Sequence, residues 1–146
     1  MTSGGGNLRQ TTHRLLKKTS GKGLYLLTPE IAQWVEEQGF QTGLLTLHIL
    51  HTSASLTIQE NADPDVLRDL KDFFSRLVPD GDPLYRHDAE GEDDMAAHIR
   101  AALTQSQLSI PIMDAQLALG IWQGIYLFEH RLEAQRREIV LHLLGD

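Results

Sequence analysis

The sequence predicts a single α+β domain, and three observations support this fold class. Strand-like and helix-like segments do not alternate regularly, which argues against a doubly wound parallel sheet. Residues 53–58 alternate apolar and hydroxyl side chains, as a half-buried strand does. Residues 63–77 carry apolar side chains at helical spacing behind an Asp-Pro pair. With 146 residues, the chain has room for one core. We therefore expect one domain at 8–146, preceded by a flexible tail at 1–7.

The first half of the chain predicts four strands and two helices. Strands are expected at 8–18, 24–27, 43–50 and 53–58. Thr28-Pro29-Glu30 is typical of a helix start, with Thr28 as the cap, and Gly39 marks the end of that helix. Asp63 and Pro64 repeat the same signal. The apolar face of the second helix is expected to comprise Val66, Leu67, Leu70, Phe73, Phe74 and Leu77.

The second half predicts one helix and a run of strands. A polar connection at 81–93 is longer than usual, and such loops are often functional. Asp93 or Asp94 caps a third helix that runs to about Thr104, with Met95, Ile99 and Leu103 facing inward. Strands follow at 108–113, 117–119, 120–129 and 138–144, with a turn at 114–116. The alternating face of 53–58 is expected to present its hydroxyls away from the core.

Composition excludes several classes of function. The formal net charge is −7, from 13 basic and 20 acidic residues, and no dense basic cluster is present. A duplex-binding surface needs concentrated positive charge, so we expect no nucleic-acid partner. The apolar runs are too short for a membrane span, and the start lacks a signal peptide. The chain has no cysteine, which excludes disulfides and thiolate zinc sites. We expect a cytoplasmic protein.

Three histidines beside carboxylates or hydroxyls are the main functional signal. His51 follows an apolar strand and opens a Thr-Ser-Ala-Ser segment, while His87 and His98 bracket an acidic stretch. Imidazoles are the commonest metal ligands at neutral pH, and carboxylates serve as ligands or as their acceptors. Asp94 lies one helical turn before His98, so the two share a face. Alternatively, this pair is a solvent-exposed ion pair worth about 0.3–0.5 kcal/mol, and His51 is a core histidine bonded to a carbonyl.

Other polar residues are candidates for the same pocket. Glu60 and Asn61 lie between a strand and a helix and have no evident local role, whereas Asp63 is explained as a helix cap. Gln123 stands between glycines beside Trp122, and glycines in a strand mark a bulge or a close backbone approach. Trp122 could instead fill the core. Glu129, His130 and Arg131 could be no more than a salt-bridged strand end.

The motifs together resemble the YjbQ family. The resemblance rests on His51-Thr52-Ser53-Ala54-Ser55-Leu56-Thr57, on Trp122-Gln123-Gly124-Ile125, and on further matches. These are Glu60-Asn61, Asp63-Pro64, His87, Glu90-Gly91, Asp93-Asp94, Ala97-His98-Ile99, Ile110-Pro111-Ile112, Leu119-Gly120, Glu129 and Arg131. The likeness runs from about Gly43 to Gly145.

The resemblance implies a curved, mainly antiparallel sheet (a half-barrel or distorted sandwich) packed with about three helices and assembled as a homotrimer. It also implies a secondary thiamine-phosphate synthase activity, which joins an aminopyrimidine-methyl diphosphate to a thiazole phosphate and releases pyrophosphate. The implied metal ligands of a divalent ion, Mg²⁺ or Zn²⁺, are His51, His87, Asp94 and His98. The implied catalytic or lining residues are His51, Glu60, Asn61, Glu90, Gln123 and Glu129.

Two other functions remain open at this point. One is a metal-dependent hydrolase of a small phosphorylated or heterocyclic substrate. The other is a trimeric module that binds a metal or a ligand without catalysis. The synthase reading requires that the diphosphate charge be neutralised by a metal or by arginines, for which the candidates are Arg86, Arg131, Arg136 and Arg137.

Overall fold

The computed structural model describes residues 7–146, which form eight strands and three helices. The predicted flexible tail lies outside the described residues, except for Asn7. In chain order the elements are β1 (Arg9–Thr19), β2 (Gly23–Leu26), α1 (Thr28–Gln38), β3 (Gly43–Ile49), β4 (Ala54–Glu60), α2 (Pro64–Leu77), α3 (Asp94–Leu103), β5 (Gln107–Met113), β6 (Gln116–Leu117), β7 (Gln123–Glu129) and β8 (Gln135–Gly145).

The strands form two antiparallel sheets that enclose one core. The larger sheet has the order β1-β8-β3-β5-β6 and the smaller one β2-β7-β4. Alternate residues of both sheets, among them Leu45, Leu56 and Leu141, join one apolar cluster to which α1 adds Ile31 and Val35. Helices α2 and α3 pack on the opposite face of the smaller sheet, where Phe74 of α2 meets Phe128 of β7 edge-on. The predicted α+β class with a curved antiparallel sheet is confirmed.

Of the helix caps predicted for α1 and α2, the one for α2 is present and the one for α1 is not. Asp63 caps α2 as predicted, since its side chain accepts a hydrogen bond from the Asp65 N–H at 2.9 Å. The predicted Thr28 cap of α1 is wrong. Leu27 is the N-cap residue, and the Thr28 hydroxyl accepts a hydrogen bond from the Ile125 N–H of β7 at 2.8 Å. Thr28 therefore ties α1 to the smaller sheet instead of closing the helix end.

The buried faces of α2 and α3 differ from the prediction. In α3 the buried residues are Asp94, Ala96, Ala97 and Arg100, whereas Leu103 of the predicted inward face is 57% exposed. The apolar stripe of α2 is present, but none of its residues is fully buried.

The hydroxyl face of β4 lies opposite the residues that join the apolar cluster, as predicted, but it is covered by other parts of the chain. Ser55 is only 1% exposed and binds Thr104 and His130, so α3 covers this face.

Two strands in the C-terminal half have other bounds than those predicted. Residues 120–122 form a turn and β7 begins at Gln123, while β6 has only two residues. The predicted turn at 114–116 is present, with Asp114 and Ala115 in the left-handed region at φ 52° and 65°. Within residues 7–146, no helix combines the length and apolar composition that crossing a bilayer requires.

Candidate metal centre

Two histidines and one aspartate converge on a single point at the start of α3. The Asp94 carboxylate oxygen Oδ2 lies 2.6 Å from His87 Nε2 and 3.2 Å from His98 Nε2. The two imidazole rings meet edge-to-face with centroids 5.3 Å apart. One donor atom from each of the three residues lies within 4.8 Å of the others. Two nitrogens and one oxygen are therefore close enough to one another to hold one metal ion.

The local fold explains this convergence. Asp94 and His98 are one turn apart on α3, so both side chains lie on the same face. His87 comes from the loop between α2 and α3, whose two ends are held together by the Gly81 N–H and the Glu92 carbonyl at 2.9 Å. Because the loop is closed at its base, His87 returns to the start of the helix that follows it.

A backbone carbonyl sets the tautomer of His98. Its Nδ1 lies 3.1 Å from the carbonyl oxygen of Thr52, so Nδ1 donates the hydrogen bond. In the neutral ring, Nε2 then carries a lone pair and faces the Asp94 carboxylate, which is also an acceptor. A second proton or a cation between them relieves this contact. Metal-binding histidines are usually held in this way, with one ring nitrogen donating to a carbonyl and the other left to bind the metal.

Arg131 orients the carboxylate from the other side. Its Nη1 donates to Asp94 Oδ1 at 2.7 Å, and its Nε donates to Asp93 Oδ2 at 2.9 Å. Burial alone would raise the pKa of Asp94, but the hydrogen bond from His87 and the Arg131 charge hold that pKa below its usual value. The carboxylate is therefore ionised at neutral pH, with one oxygen bound to arginine and the other facing the histidines.

His51 lies beside this centre but does not join it. It lines a cleft of about 330 Å³ together with His98 and Thr52. Its Nε2 accepts a hydrogen bond from the Glu138 N–H at 2.8 Å. Burial and the nearby Arg137 charge lower the pKa of His51. With Nε2 engaged, the remaining proton sits on Nδ1, and neither nitrogen offers a free lone pair. This geometry argues against the metal-ligand role that the resemblance implied for His51.

Glu90 lies at the open side of the centre. Its carboxylate oxygen is 3.7 Å from His87 Nε2, and its side chain is 67% exposed. The Glu90 carbonyl also accepts a hydrogen bond from Arg131 Nη2 at 2.9 Å. Glu90 therefore reaches the cluster while its carboxylate remains accessible to solvent and to small molecules.

Three predicted pocket residues form a separate structure at the far end of β4. The Glu60 carboxylate accepts a hydrogen bond from the Ala62 N–H at 2.8 Å, so the expectation that Glu60 has no local role is wrong. Asn61 donates to the carbonyls of Ile121 and Gln123, and the Gln123 side chain accepts from the Gly120 N–H. Glu60 is six residues along β4 from Ala54, which lines the His51 cleft, and this corresponds to roughly 20 Å of strand.

Glu129 is fully buried and pairs with Arg137. Arg137 donates through Nε and Nη2, and Thr19 donates its hydroxyl at 2.7 Å. The backbone N–H groups of His130 and Arg131 also donate to the same carboxylate, each at 3.1 Å. Glu129 therefore holds the segment that carries Arg131. Within the described structure it supports the centre from behind and does not line it.

Two buried residues next to the site, His130 and Arg137, have roles that differ from those expected from the sequence. His130 is 1% exposed, bonds Ser55 at 2.9 Å and has a pKa lowered to about 3 by burial and by the Arg100 and Arg137 charges. Arg137 is 3% exposed. A signal for Arg137 exists in the sequence, because it shares the inward register of β8 with Ile139 and Leu141. A buried arginine needs a buried acceptor, which points to a carboxylate such as Glu129.

Sequence comparisons find relatives over nearly the whole chain. The family model described as UPF0047 protein YjbQ-like matches residues 12–146. The UPF0047 protein sll1880 of Synechocystis sp. is 49% identical, over 100% of this chain and 99% of its own length. The UPF0047 protein YjbQ of Salmonella typhimurium is 44% identical, over 86% of this chain and 91% of its own.

Solved structures show the same fold. A YjbQ/UPF0047 family protein from Clostridium acetobutylicum superposes with a TM-score of 0.81 at 35% identity, covering 88% of this chain and 97% of that one. A YbjQ-like protein from Sulfolobus solfataricus has a TM-score of 0.87 at 20% identity, covering 96% and 100%, and shows likeness of fold alone. The chain therefore belongs to the YjbQ/UPF0047 family.

Proposed function

We propose that His87, His98 and Asp94 bind a divalent transition metal and that this centre serves an enzyme acting on a small phosphorylated molecule. The supporting observation is the approach of both Nε2 atoms to one oxygen of Asp94. Two imidazoles and one carboxylate are a donor set that Zn²⁺ accepts, whereas Mg²⁺ prefers oxygen ligands. Of the two ions named from the sequence, Zn²⁺ fits these residues better.

We propose thiamine-phosphate formation as the reaction to test first. In it the thiazole nitrogen forms a bond to the methylene carbon of the pyrimidine, and the carbon–oxygen bond to the diphosphate breaks with release of pyrophosphate. A bound metal would supply positive charge for the departing diphosphate. The chain itself would hold the ligands in place through Arg131 and the Thr52 carbonyl. Ala101 and Ala102 give the neighbouring cleft an apolar wall.

We also propose a class of substrate, an oligomeric state and a location in the cell. The substrate is a small phosphorylated molecule, the assembly is a homotrimer, and the location is cytoplasmic. The negative formal charge of −7 agrees with the expectation that neither nucleic acid nor a membrane is a partner.

The test is the substitution His98→Ala, with His142→Ala as the matched control. His142 bonds only Gln10 among the described residues and lies on β8, away from α3. We expect His98→Ala to weaken Zn²⁺ binding by at least about 100-fold by calorimetry and to reduce thiamine-phosphate formation to background, with the fold and oligomeric state unchanged. His142→Ala should match the wild type in every measurement.

The outcomes separate the classes of function. Unchanged zinc affinity in His98→Ala would overturn the metal centre. Zinc binding by the wild type without any turnover would favour a binding module.

One observation favours hydrolysis as a second candidate: the exposed Glu90 carboxylate beside His87 could act as a base toward water. Hydrolysis of the aminopyrimidine-methyl diphosphate without the thiazole partner would identify that activity.

A further inference from the structure

A second cavity adjoins His51, and its lining contains no residue of α3. It has a volume of about 640 Å³, and its lining includes His48, His51, Thr52, Ser53, Ser106 and Arg137. His51, Thr52 and Ser106 also line the smaller cleft beside His98. The two spaces are therefore neighbours that share one wall, and a molecule in one lies next to the other.

Arg137 lines this cavity and has one side-chain nitrogen without a hydrogen bond to residues 7–146. Its Nε and Nη2 are bound to Glu129 and Ser53, whereas Nη1 has no hydrogen bond to any residue within 7–146. The residue is 3% exposed, yet the only fully enclosed side-chain polar atom without a partner in that range is His130 Nδ1. Nη1 therefore keeps a small accessible surface, and Arg137 lines this cavity. A buried guanidinium with a free N–H edge is suited to an anionic oxygen.

His51 is held as a second donor. The Glu138 N–H points at Nε2 from 2.8 Å, so Nε2 must carry the lone pair. The ring is then neutral and its single proton is on Nδ1, which donates and cannot accept. A backbone group has thereby fixed this histidine as a hydrogen-bond donor in the wall shared by the two cavities.

We propose that the cavity beside Arg137 and His51 binds the phosphoryl group of a small molecule. Two donors from different elements, β8 and the loop between β3 and β4, belong to residues that line this cavity, and the other polar atoms of each side chain are hydrogen-bonded. The acidic groups nearby are already engaged, since Glu129 pairs with Arg137 and Glu138 pairs with Arg14. The identity of the ligand rests on the proposed function, whereas the pocket needs no metal.

The experiment measures pyrophosphate and inorganic phosphate binding to chelator-treated protein by calorimetry. Arg137→Lys keeps a cation beside Glu129 but removes the Nη1 edge, and Arg136→Lys is its exposed neighbour and control. His51→Gln can keep an acceptor for the Glu138 N–H and loses the Nδ1 donor, whereas His51→Asn can keep a donor near the Nδ1 position. We expect Arg137→Lys and His51→Gln each to weaken pyrophosphate binding by about tenfold to 100-fold.

Arg136→Lys should leave this binding within about twofold of the wild type, and His51→Asn should recover part of the His51→Gln loss. Equal binding by the wild type, Arg137→Lys and His51→Gln, with all three folded by circular dichroism, would overturn the proposal. So would the absence of measurable pyrophosphate binding to the wild type. Because the protein is metal-free, failure of the metal centre would show in zinc binding to the His98 variant and not in this assay.

Discussion

Single residues around Glu129 connect the core to the candidate site. The Glu129 carboxylate has no exposed surface and receives hydrogen bonds from Thr19, Arg137 and two backbone N–H groups. Its partner Arg137 lines the larger cavity. Arg131, which follows Glu129 by two residues, binds Asp94. A buried ion pair of this kind contributes little net stability over apolar packing, but loss of one partner leaves an unpaired charge.

Glu129→Gln is expected to lower the free energy of unfolding by about 3–5 kcal/mol, because it leaves the Arg137 guanidinium buried without a counter-charge. Glu138→Gln is the matched control. Its carboxylate pairs with Arg14 at the surface, where the side chains are 67% and 46% exposed, and its loss should cost at most about 1 kcal/mol. Urea denaturation of both variants measures the difference. A similar decrease in the free energy of unfolding in the two variants would show that the buried pair contributes no more to stability than the surface pair.

His130 predicts a pH dependence of stability. Its pKa is lowered to about 3 by burial and by the Arg100 and Arg137 charges, from an ordinary value near 6.5. The unfolded chain therefore binds a proton that the folded chain excludes, and stability falls as the pH drops below about 6.5 towards 3. Between pH 7 and pH 5 we expect a loss of about 2 kcal/mol from this group.

The measurement is the free energy of unfolding of the wild type and His130→Gln at both pH values. Glutamine can keep a polar atom near Ser55 but does not titrate, so the loss between pH 7 and pH 5 should be smaller by about 2 kcal/mol in the variant. An identical pH dependence in both proteins would contradict the assignment of this titration to His130.

At the scale of elements, α2 was predictable and the face of α3 was not. Asp63 and Pro64 mark the start of α2 locally, through a cap and a ring that fits the first turn. The orientation of α3 depends on partners distant in sequence. Arg100 binds the carbonyls of Val78 and His130, and this buried network turns Ala96 and Ala97 inward in place of Ile99 and Leu103. In α3, the spacing of the apolar residues does not indicate that Arg100 is buried.

The same reason explains which parts of the site could be predicted. Asp94 and His98 share a helix face, so their pairing follows from spacing. The arrival of His87 depends on closure of the loop at Gly81 and Glu92, which no periodic pattern records. His51 was expected to emerge where β3 ends, and it lines a cleft there, but its tautomer depends on the Glu138 N–H, which lies 87 positions away. Long-range backbone contacts therefore decide roles that motifs only suggest.

The packing of α3 gives a prediction at this scale. Ala97 has no exposed surface, whereas Ala102 is exposed on the same helix. Ala97→Leu should lower the free energy of unfolding by about 1–3 kcal/mol, because three added carbons find no space between α3 and the smaller sheet. Ala102→Leu should stay within about 0.5 kcal/mol of the wild type. Thermal and urea unfolding distinguish the two, and equal stability would mean that the α3 interface is loosely packed.

At the scale of the whole molecule, large apolar side chains remain uncovered by the single chain. The turn between β6 and β7 exposes 80% of Ile121 and 60% of Trp122. Hydrogen bonds from Asn61 to the Ile121 and Gln123 carbonyls hold this turn in place. A rigid, exposed aromatic and aliphatic pair has no stabilising role in a monomer and is typical of an interface. It is one surface that the proposed homotrimer could bury.

The combined substitution of Ile121→Ser and Trp122→Ser should therefore weaken assembly without unfolding the chain. By light scattering we expect the wild type at three times the chain mass of 16.4 kDa and the double variant at lower mass on dilution. Leu84→Ser removes a side chain that is 86% exposed on another loop and serves as the control. A monomeric wild type would contradict the homotrimer. A double variant that keeps the wild-type mass at every concentration would instead place the interface elsewhere. The reason is that removing two large apolar side chains from a buried contact raises the dissociation constant by orders of magnitude.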